Sequence, residues 1–593
     1  MSAHAKALQS GVGAQERVLT AEHYRAEIDG LRGVAVLAVI GFHAFPEYFP
    51  GGFVGVDVFF VISGFLISSI ILRQLGRSQF TFADFYSRRI RRIFPALLVV
   101  LTACLLFGGL VLLPNELEQL GKHIGSAAIF ISNFTLWFES GYFDTATGFK
   151  PLLHLWSLGI EEQFYLLWPL VLLLLWKRPR MIRGSVALLT LGSFAACLWI
   201  GSRSSVANFY FPLSRFWELG LGCLLAVAKQ SPAFQSHRSG RFTTVADSLL
   251  PVVGVLLISV ALLLFDRKTA FPGWAALLPT AGAMCVIAAR SGSWFQRRIM
   301  ASGFLVFIGA ISYPLYLWHW PALSFAAILE AGTPTATVRV VAVSLSVALA
   351  WLTFILFERP IRAQRAGRVT LALVSGLAIL GIAGIGMYAL RGFPERFDVD
   401  VQALIPEPRR NELCPEEFRR HRIFNYCKST QAAPPAVLFL GDSRAQSIYD
   451  GVADVLGSRH AVGLLARGGC PPFLSGDLHY TDQQGCLEVW RSFVEYAEKV
   501  QPRIVVLVGG GVHLLDPSQA TLEKSSDFTT PAEAFKHGLR ELVTTLGTAS
   551  RVIYVRVLPH FETSPSCFLR PLRLPGSACS PTMSRSKIGR VHV

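Results

Sequence analysis

An arginine and a histidine, Arg32 and His43, stand in the apolar run GLRGVAVLAVIGFH. On a helix, steps of about 100° bring the two to within about 20° of one face, separated by a rise of about 16 Å. Ionisable groups in so apolar a run are costly and mark candidate functional sites. A guanidinium can hold a phosphate, and an imidazole titrates near neutrality and so suits proton transfer. The same spacing also fits an arginine anchored at an interface and a histidine packed against a hydrogen-bonding neighbour. Spacing alone leaves both readings open.

Arg88, Arg89, Arg91 and Arg92 crowd the segment FYSRRIRRIFP. Positions three apart share a helix face, so Arg89 and Arg92 form one fork and Arg88 and Arg91 another. Forked guanidinium groups suit phosphate, although cations also gather at the cytoplasmic ends of membrane helices. The segment HLWSLGIEEQFYLLWP holds His154, Trp156, Ser157, Glu161, Glu162 and Gln163 at an expected outer helix entrance. Glu161 and Glu162 are adjacent and point to different faces, so at least one looks into a bundle. Asp57, Arg215, Glu218, Tyr313, Tyr316 and His319 carry weaker signals. Arg215 and Glu218 are three apart and can simply pair, while Trp318 and Trp320 suit an aromatic belt.

The elements that must position these groups are apolar helices. The chain has 593 residues, 52% of them hydrophobic and 16% charged, with a net charge of +16 and a mean hydropathy of +0.45. Soluble domains are about 25% charged, so a single soluble globule and a disordered chain are both excluded. Lys and Arg fall in alternate loops, about twenty against six, the asymmetry of cytoplasmic over outer loops. The positive charge therefore reports topology, and no nucleic-acid partner is expected. A span needs about 17–25 apolar residues. Helices are predicted near 31–46, 53–75, 93–114, 155–176, 184–201, 213–229, 247–266, 274–290, 303–329, 337–357 and 369–390, after a cytoplasmic tail over 1–28. Segment 124–138 is a re-entrant piece or a twelfth span, and a twelfth would spoil the charge alternation. An odd count sends the chain outside after residue 390.

Residues 391–433 read as a Pro-rich linker and 434–593 as a separate domain. Short apolar runs such as Ala436–Leu440 and Ile504–Val508 alternate with helical stretches, the pattern of an α/β domain with a parallel sheet. Six cysteines fall here, and pairing neighbours (Cys414 with Cys427, Cys470 with Cys486, Cys567 with Cys579) is the simplest connectivity. Disulfides fit an oxidising compartment. No CxxC spacing occurs and no metal is expected. GDSRAQSIYDG places Ser443 at a turn from strand to helix, where the helix N-terminus favours developing negative charge. A serine there is also an ordinary helix cap.

GLRGVAVLAVIGFHAF, GVDVFFVISGFLIS, FYSRRIRRIFP, HLWSLGIEEQFYLLWP and SYPLYLWHWP, in this order, resemble the acyltransferase-3 membrane O-acyltransferases over about residues 24–362. The resemblance implies a polytopic bundle of ten helices over 29–362, followed by an additional helix over 363–390. It implies transfer of acetyl groups from cytoplasmic acetyl-CoA, as acyl donor, to sugars outside the membrane. The family's Arg-x10-His motif falls on Arg32 and His43, its Arg-x-x-Arg motif on Arg89 and Arg92, and its glutamate on Glu161 or Glu162. Arg32, Arg89 and Arg92 are then expected on the CoA phosphates, with His43 as general base or acyl carrier. The acyl group is expected to emerge near His154 and Glu161 or Glu162.

The C-terminal region resembles the SGNH (GDSL-like) domain, a three-layer α/β fold, expected on the extracytoplasmic side. Ser443 stands as nucleophile, and Gly468 and Gly469 in ARGGCPPF as oxyanion donors, with the Ser443 backbone as a further one. The third block departs from the family: VVLVGGGVHLL has His513 where an asparagine is expected, and no Asp-x-x-His block occurs. His513, His560 and His592 lack that setting, so the domain is expected to be incomplete at its C-terminus. The expected function is a bacterial inner-membrane O-acyltransferase. Its partners are the lipid bilayer, acetyl-CoA and a cell-envelope glycan, whether lipopolysaccharide O-antigen, peptidoglycan or exopolysaccharide. The competing expectation is an acyl-donor transporter whose outer domain only binds glycan.

Overall fold

The computed structural model describes residues 25–139, 147–230, 241–289, 293–330, 332–364, 367–396, 410–419, 426–468, 470, 478–480, 486–509, 520–522 and 528–555. Gly469, His513, His560, His592, Cys567 and Cys579 lie outside them, as does most of the N-terminal tail. The chain divides into two compact units, one holding the helices through Pro394 and one beginning at Glu395.

Each predicted membrane segment is helical in the first unit. Among the described residues, seven helices are long and apolar enough to cross a membrane: Gly52–Gly76, Phe82–Val111, Leu155–Trp176, Met181–Gly201, Asp247–Leu264, Ala336–Ala363 and Gly367–Ala389. The other four expected spans fall short for physical reasons. Helix α1, Ala26–Ala44, carries Glu27, Asp29 and Arg32. Phe216–Gln230 and Leu277–Ala288 are short, at 15 and 12 residues. Segment 303–329 is cut at Ile311 into the short Gly303–Ala310 and a 19-residue helix, Ser312–Glu330, whose Tyr, Trp, Pro and His residues make it less apolar. Segment 124–138 is likewise no continuous helix. It divides between Pro114–Ala128 and Ser132–Glu139, with Phe130 at φ 57° in the break.

The site is built by α1 with α2 (Gly55–Gly76), α3 (Phe82–Val111), α4 (Leu155–Trp176), α5 (Phe216–Gln230) and α6 (Ser312–Glu330). Helix α3 starts well before residue 93, because Thr81 caps it, its hydroxyl accepting from the Asp84 amide at 3.2 Å. The arginine cluster is therefore inside the helix and is fixed by its register. Helices α2 and α5 touch backbone to backbone. A Cβ on Gly64 would collide with the Leu219 carbonyl, and one on Gly222 with that of Val61. With no water to squeeze out between helices in lipid, such close approach is the main source of attraction. Phe60, Ile67, Leu97, Val100, Leu158 and Leu172 fill the core between α2, α3 and α4. Helix α7, Gly367–Ala389, packs on Pro114–Ala128, where Gly384 meets Gly121.

The second unit is a mixed five-stranded sheet in the order β1-β3-β2-β5-β7. Its strands are β1 (Tyr426–Ser429), β2 (Val437–Gly441), β3 (Val462–Ala466), β5 (Ile504–Val508) and β7 (Arg551–Val555), with β4 (Leu478–Tyr480) and β6 (Ala520–Leu522) forming a separate pair. Only β1 runs antiparallel to its neighbour in the large sheet. Successive side chains alternate faces. Leu438 and Leu440 therefore join one core with Trp490, Phe493, Leu542 and Leu546, from helices Cys486–Val500 and Pro531–Gly547. Phe439 joins the other core with Ala445 and Tyr449, from helix α8, Ser443–Leu456. The unit is thus three-layered, helices on both faces of a largely parallel sheet. Cys414 pairs with Cys427 and Cys470 with Cys486, with Cα atoms 5.4 Å apart in each. Neighbours in sequence pair in both cases.

Candidate active site

Two cavities lie in the helical unit, and both are lined by Val56 and Tyr316. The first, about 90 Å³, brings Arg32 of α1 together with Arg89 and Arg92 of α3. Arg32 is steadied by Asp29, one turn earlier, at 3.2 Å. Arg89 sits over the rings of Phe85 and Tyr165, at 5.8 and 5.9 Å. Of the two arginine forks, the Arg89–Arg92 one faces the cavity, whereas Arg88 is ion-paired to Asp84 and Arg91 is buried. Glu161 of α4 lines the same cavity, its Oε1 accepting from the hydroxyls of Ser63 and Tyr165. Three guanidinium groups around one carboxylate make a site for a multiply charged anion such as a phosphate.

The second cavity, about 930 Å³, is lined by His43, His154, Arg215, Arg267 and Arg339 among aromatic walls. His43 Nδ1 lies 2.9 Å from His319 Nε2, and His319 Nδ1 lies 2.7 Å from the Tyr316 carbonyl. These partners fix the protons. A carbonyl only accepts, so His319 Nδ1 carries its hydrogen. In a neutral ring its Nε2 then accepts from His43 Nδ1–H. His43 Nε2 is left with a free lone pair and has no protein partner among the described residues. Trp320 closes on the His43 ring at 4.5 Å, and its indole N–H donates to the Lys150 carbonyl at 2.8 Å. Lys150 is held in turn by Glu139, at 2.8 Å, which also accepts from Lys122 and His123.

Between the cavities, the Tyr316 hydroxyl donates to the His154 carbonyl at 2.9 Å and lies 2.7 Å from the Ser157 hydroxyl. Beside it, fully buried Arg215 reaches Asp57 at 3.3 Å and Glu218 at 2.8 Å. Four aromatic rings, of Phe60, Trp156, Phe209 and Phe271, surround its guanidinium at 5.5–5.9 Å.

One expectation changes. His154 was expected to share an exit with Glu161 or Glu162. It lines the second cavity, while Glu161 lies about 10 Å further along α4, in the arginine cavity. Glu162 lines neither cavity, and its Oε1 is buried without a hydrogen-bond partner among the described residues.

In the second unit, β2 ends at Gly441 and α8 begins at Ser443. The helix cap is Asp442, whose carboxylate accepts from the Arg444 amide at 2.9 Å, so Ser443 is not the cap. Gly441 permits the close pairing with β5, since a Cβ there would strike the Val508 carbonyl. The Arg467 amide donates to the Gly441 carbonyl at 3.0 Å, which sets the turn holding buried Gly468 beside the end of β2.

Residues 25–355 match the Acyl_transf_3 family, described as an acyltransferase domain. The chain belongs to this acyltransferase family. Residues 413–591 match the SGNH domain of the kind fused to such acyltransferase domains. The chain is 32% identical over 354 residues to O-acetyltransferase OatA of Staphylococcus aureus (strain NCTC 8325 / PS 47), covering 57% of each chain. It is 32% identical over 360 residues to Peptidoglycan O-acetyltransferase OatA of Listeria monocytogenes, covering 57% of this chain and 56% of that one. It therefore spans little more than half the length of the curated relatives it matches. No solved structure matches the chain. With its apolar helices, the acyltransferase domain makes this a multi-pass membrane protein.

Within that acyltransferase domain, the sequence offered weak or no signals for several groups. His319 and Tyr316 sit three apart in SYPLYLWHWP, a spacing that places both on one helix face. Tyr165 likewise follows Glu161 by four on one helix, whereas Ser63, Arg267 and Arg339 had no such marker, because each joins its cavity from a different helix or loop.

Proposed function

We propose that this protein is an O-acetyltransferase of the bacterial inner membrane that moves an acetyl group from cytoplasmic acetyl-CoA to a hydroxyl of a cell-envelope glycan. The name of the Listeria relative favours peptidoglycan over lipopolysaccharide or exopolysaccharide as that glycan. The observation that carries the reading is the pair of cavities meeting at Tyr316 and Val56, arginines in one and an oriented imidazole in the other. In this reading eleven helices cross the membrane, the arginine cavity opens to the cytoplasm, and the SGNH domain lies outside. The first of these follows from the alternation of Lys and Arg between loops.

Arg32, Arg89 and Arg92 hold the donor's phosphates, and the arm carrying the thioester reaches past Tyr316. His43 Nε2 takes the proton of the acceptor hydroxyl while its oxygen bonds to the acyl carbon. The carbon–sulfur bond breaks and the leaving thiolate takes that proton back, so no net proton is gained or lost. His319 keeps the lone pair of His43 on Nε2 through its fixed tautomer, the role of the third group in a base-orienting triad. Glu161 is set among the arginines by Ser63 and Tyr165 and orders that site; it is not the base.

Membranes carrying the protein, supplied with acetyl-labelled acetyl-CoA, should transfer label to envelope glycan. His43→Ala should abolish the transfer with the protein still folded. Label on the glycan at the wild-type rate in that variant would sink the assignment. Uptake of label without ester formation would instead indicate transport.

A further inference from the structure

The charge lining the second cavity is one-sided. Arg215, Arg267, Arg339, His43 and His154 line it, and no Asp or Glu among the described residues does. Apart from Glu47, which pairs with Arg339, the carboxylates nearby are engaged away from the cavity. Asp57 and Glu218 are buried behind Arg215 and pair with it. Asp266, although adjacent to Arg267, is turned back into its own loop. It accepts from the amides of Lys268 and Thr269 at 2.9 and 3.0 Å and from the Thr269 hydroxyl at 3.1 Å. These bonds, the Lys268 amide first, hold its carboxyl below the usual range. Arg267 has no carboxylate partner among the described residues, its guanidinium over the Phe42 ring at 5.6 Å. Arg339 shares one nitrogen between Glu47 at 2.9 Å and the Ala44 carbonyl at 2.7 Å, while its Nε is buried and unpartnered. An unpaired cation in an aromatic-walled cavity selects an anion, and aromatic faces suit the apolar face of a sugar ring.

We propose that the second cavity binds the acceptor directly and selects one that carries an anionic group, with Arg267 and Arg339 on the anion and the sugar hydroxyl at His43. The proposal rests on the acyltransferase reading and narrows its acceptor to an acidic sugar or a phosphate-linked one. Cavity volume supports it: about 930 Å³ lies at the upper end of the roughly 300–1,000 Å³ typical of small-molecule sites, larger than a thioester terminus alone needs.

The test is binding to the full-length protein in detergent, by ligand-observed NMR. The probes are glucuronate, its neutral isostere glucuronamide, and a polyisoprenyl phosphate. Binding of acetyl-CoA, measured separately, is the control. Wild type should prefer at least one anionic probe over glucuronamide by about ten-fold or more, the scale of one charge-assisted hydrogen bond. Arg267→Gln should remove the preference, and Arg267→Lys should keep most of it. Preference for glucuronate places the anion on the sugar, and preference for the phosphate places it on a lipid carrier. Equal affinity for charged and neutral probes, no binding of any probe, or a preference that survives Arg267→Gln would each overturn the proposal. Acetyl-CoA binding and transfer to glycan retained alongside any of those results would leave the acyltransferase reading standing, whereas loss of acetyl-CoA binding in wild type would count against that reading instead.

Discussion

His43 sits at the end of a relay in which each hydrogen-bond role is forced by the next: a carbonyl that only accepts, a histidine that must donate to it, and a second histidine that must donate in turn. Removing this proposed base should cost about 10²–10⁴ in rate. His319→Leu breaks the relay without touching the reacting atoms. It should lower kcat for acetyl transfer while leaving KM for the donor unchanged, because it disturbs tautomer and not binding. His319→Gln supplies a side-chain carbonyl able to accept from His43 Nδ1–H and should recover a large part of the loss. A packing role alone would not separate the two variants in this way. In the first cavity, Arg89→Ala or Arg92→Ala should raise KM for the donor by about ten-fold or more, since a hydrogen bond to a charged group contributes about 1.5–3 kcal/mol. Titrating labelled donor at fixed acceptor measures it.

Helix pairs, and not single side chains, set where these groups stand. Helices α2 and α5 meet through Gly64 and Gly222 and are joined again by the Asp57–Arg215–Glu218 cluster. Gly222→Val drives a branched side chain into the Val61 backbone and should destabilise the domain by about 1–3 kcal/mol, read as a fall in Tm of the detergent-solubilised protein. Gly184→Ala, where a Cβ meets nothing within 4 Å, should hold or slightly raise Tm through helix propensity. Arg215→Met leaves two buried carboxylates without their cation. A loss of about 3–5 kcal/mol is expected, whereas adding Asp57→Asn and Glu218→Gln should restore much of it, because the cost is stranded charge.

For the molecule as a whole, the two units rest on different physics. The helical unit relies on close backbone contact and on buried ion pairs such as those of Arg215 with Asp57 and Glu218. The sheet unit has ordinary apolar layers and two disulfides that close short loops. Replacing Cys470 and Cys486 together by Ser should cost about 3 kcal/mol, the loop-closure scale for a separation of 16 residues. Limited proteolysis of the full chain should then cleave the SGNH domain sooner and the acyltransferase domain at an unchanged rate.

The sequence by itself determined the class of molecule: a hydrophobic chain of apolar helices with a separate α/β end, whose ordered motifs point to one family. It also singled out Arg32, Arg89, Arg92 and His43 as candidates, since spacing on a helix is a local property that survives without knowledge of neighbours. The pairings of Cys414 with Cys427 and of Cys470 with Cys486 were legible as pairs of sequence neighbours. Tertiary structure decided what those residues meet. His319 became the partner of His43 across 276 positions of chain, Glu161 moved from the side of His154 to that of the arginines, and a turn that occupies Asp266 left Arg267 without a carboxylate partner among the described residues. Contacts between distant elements follow from packing geometry, and no pattern along a single helix encodes them.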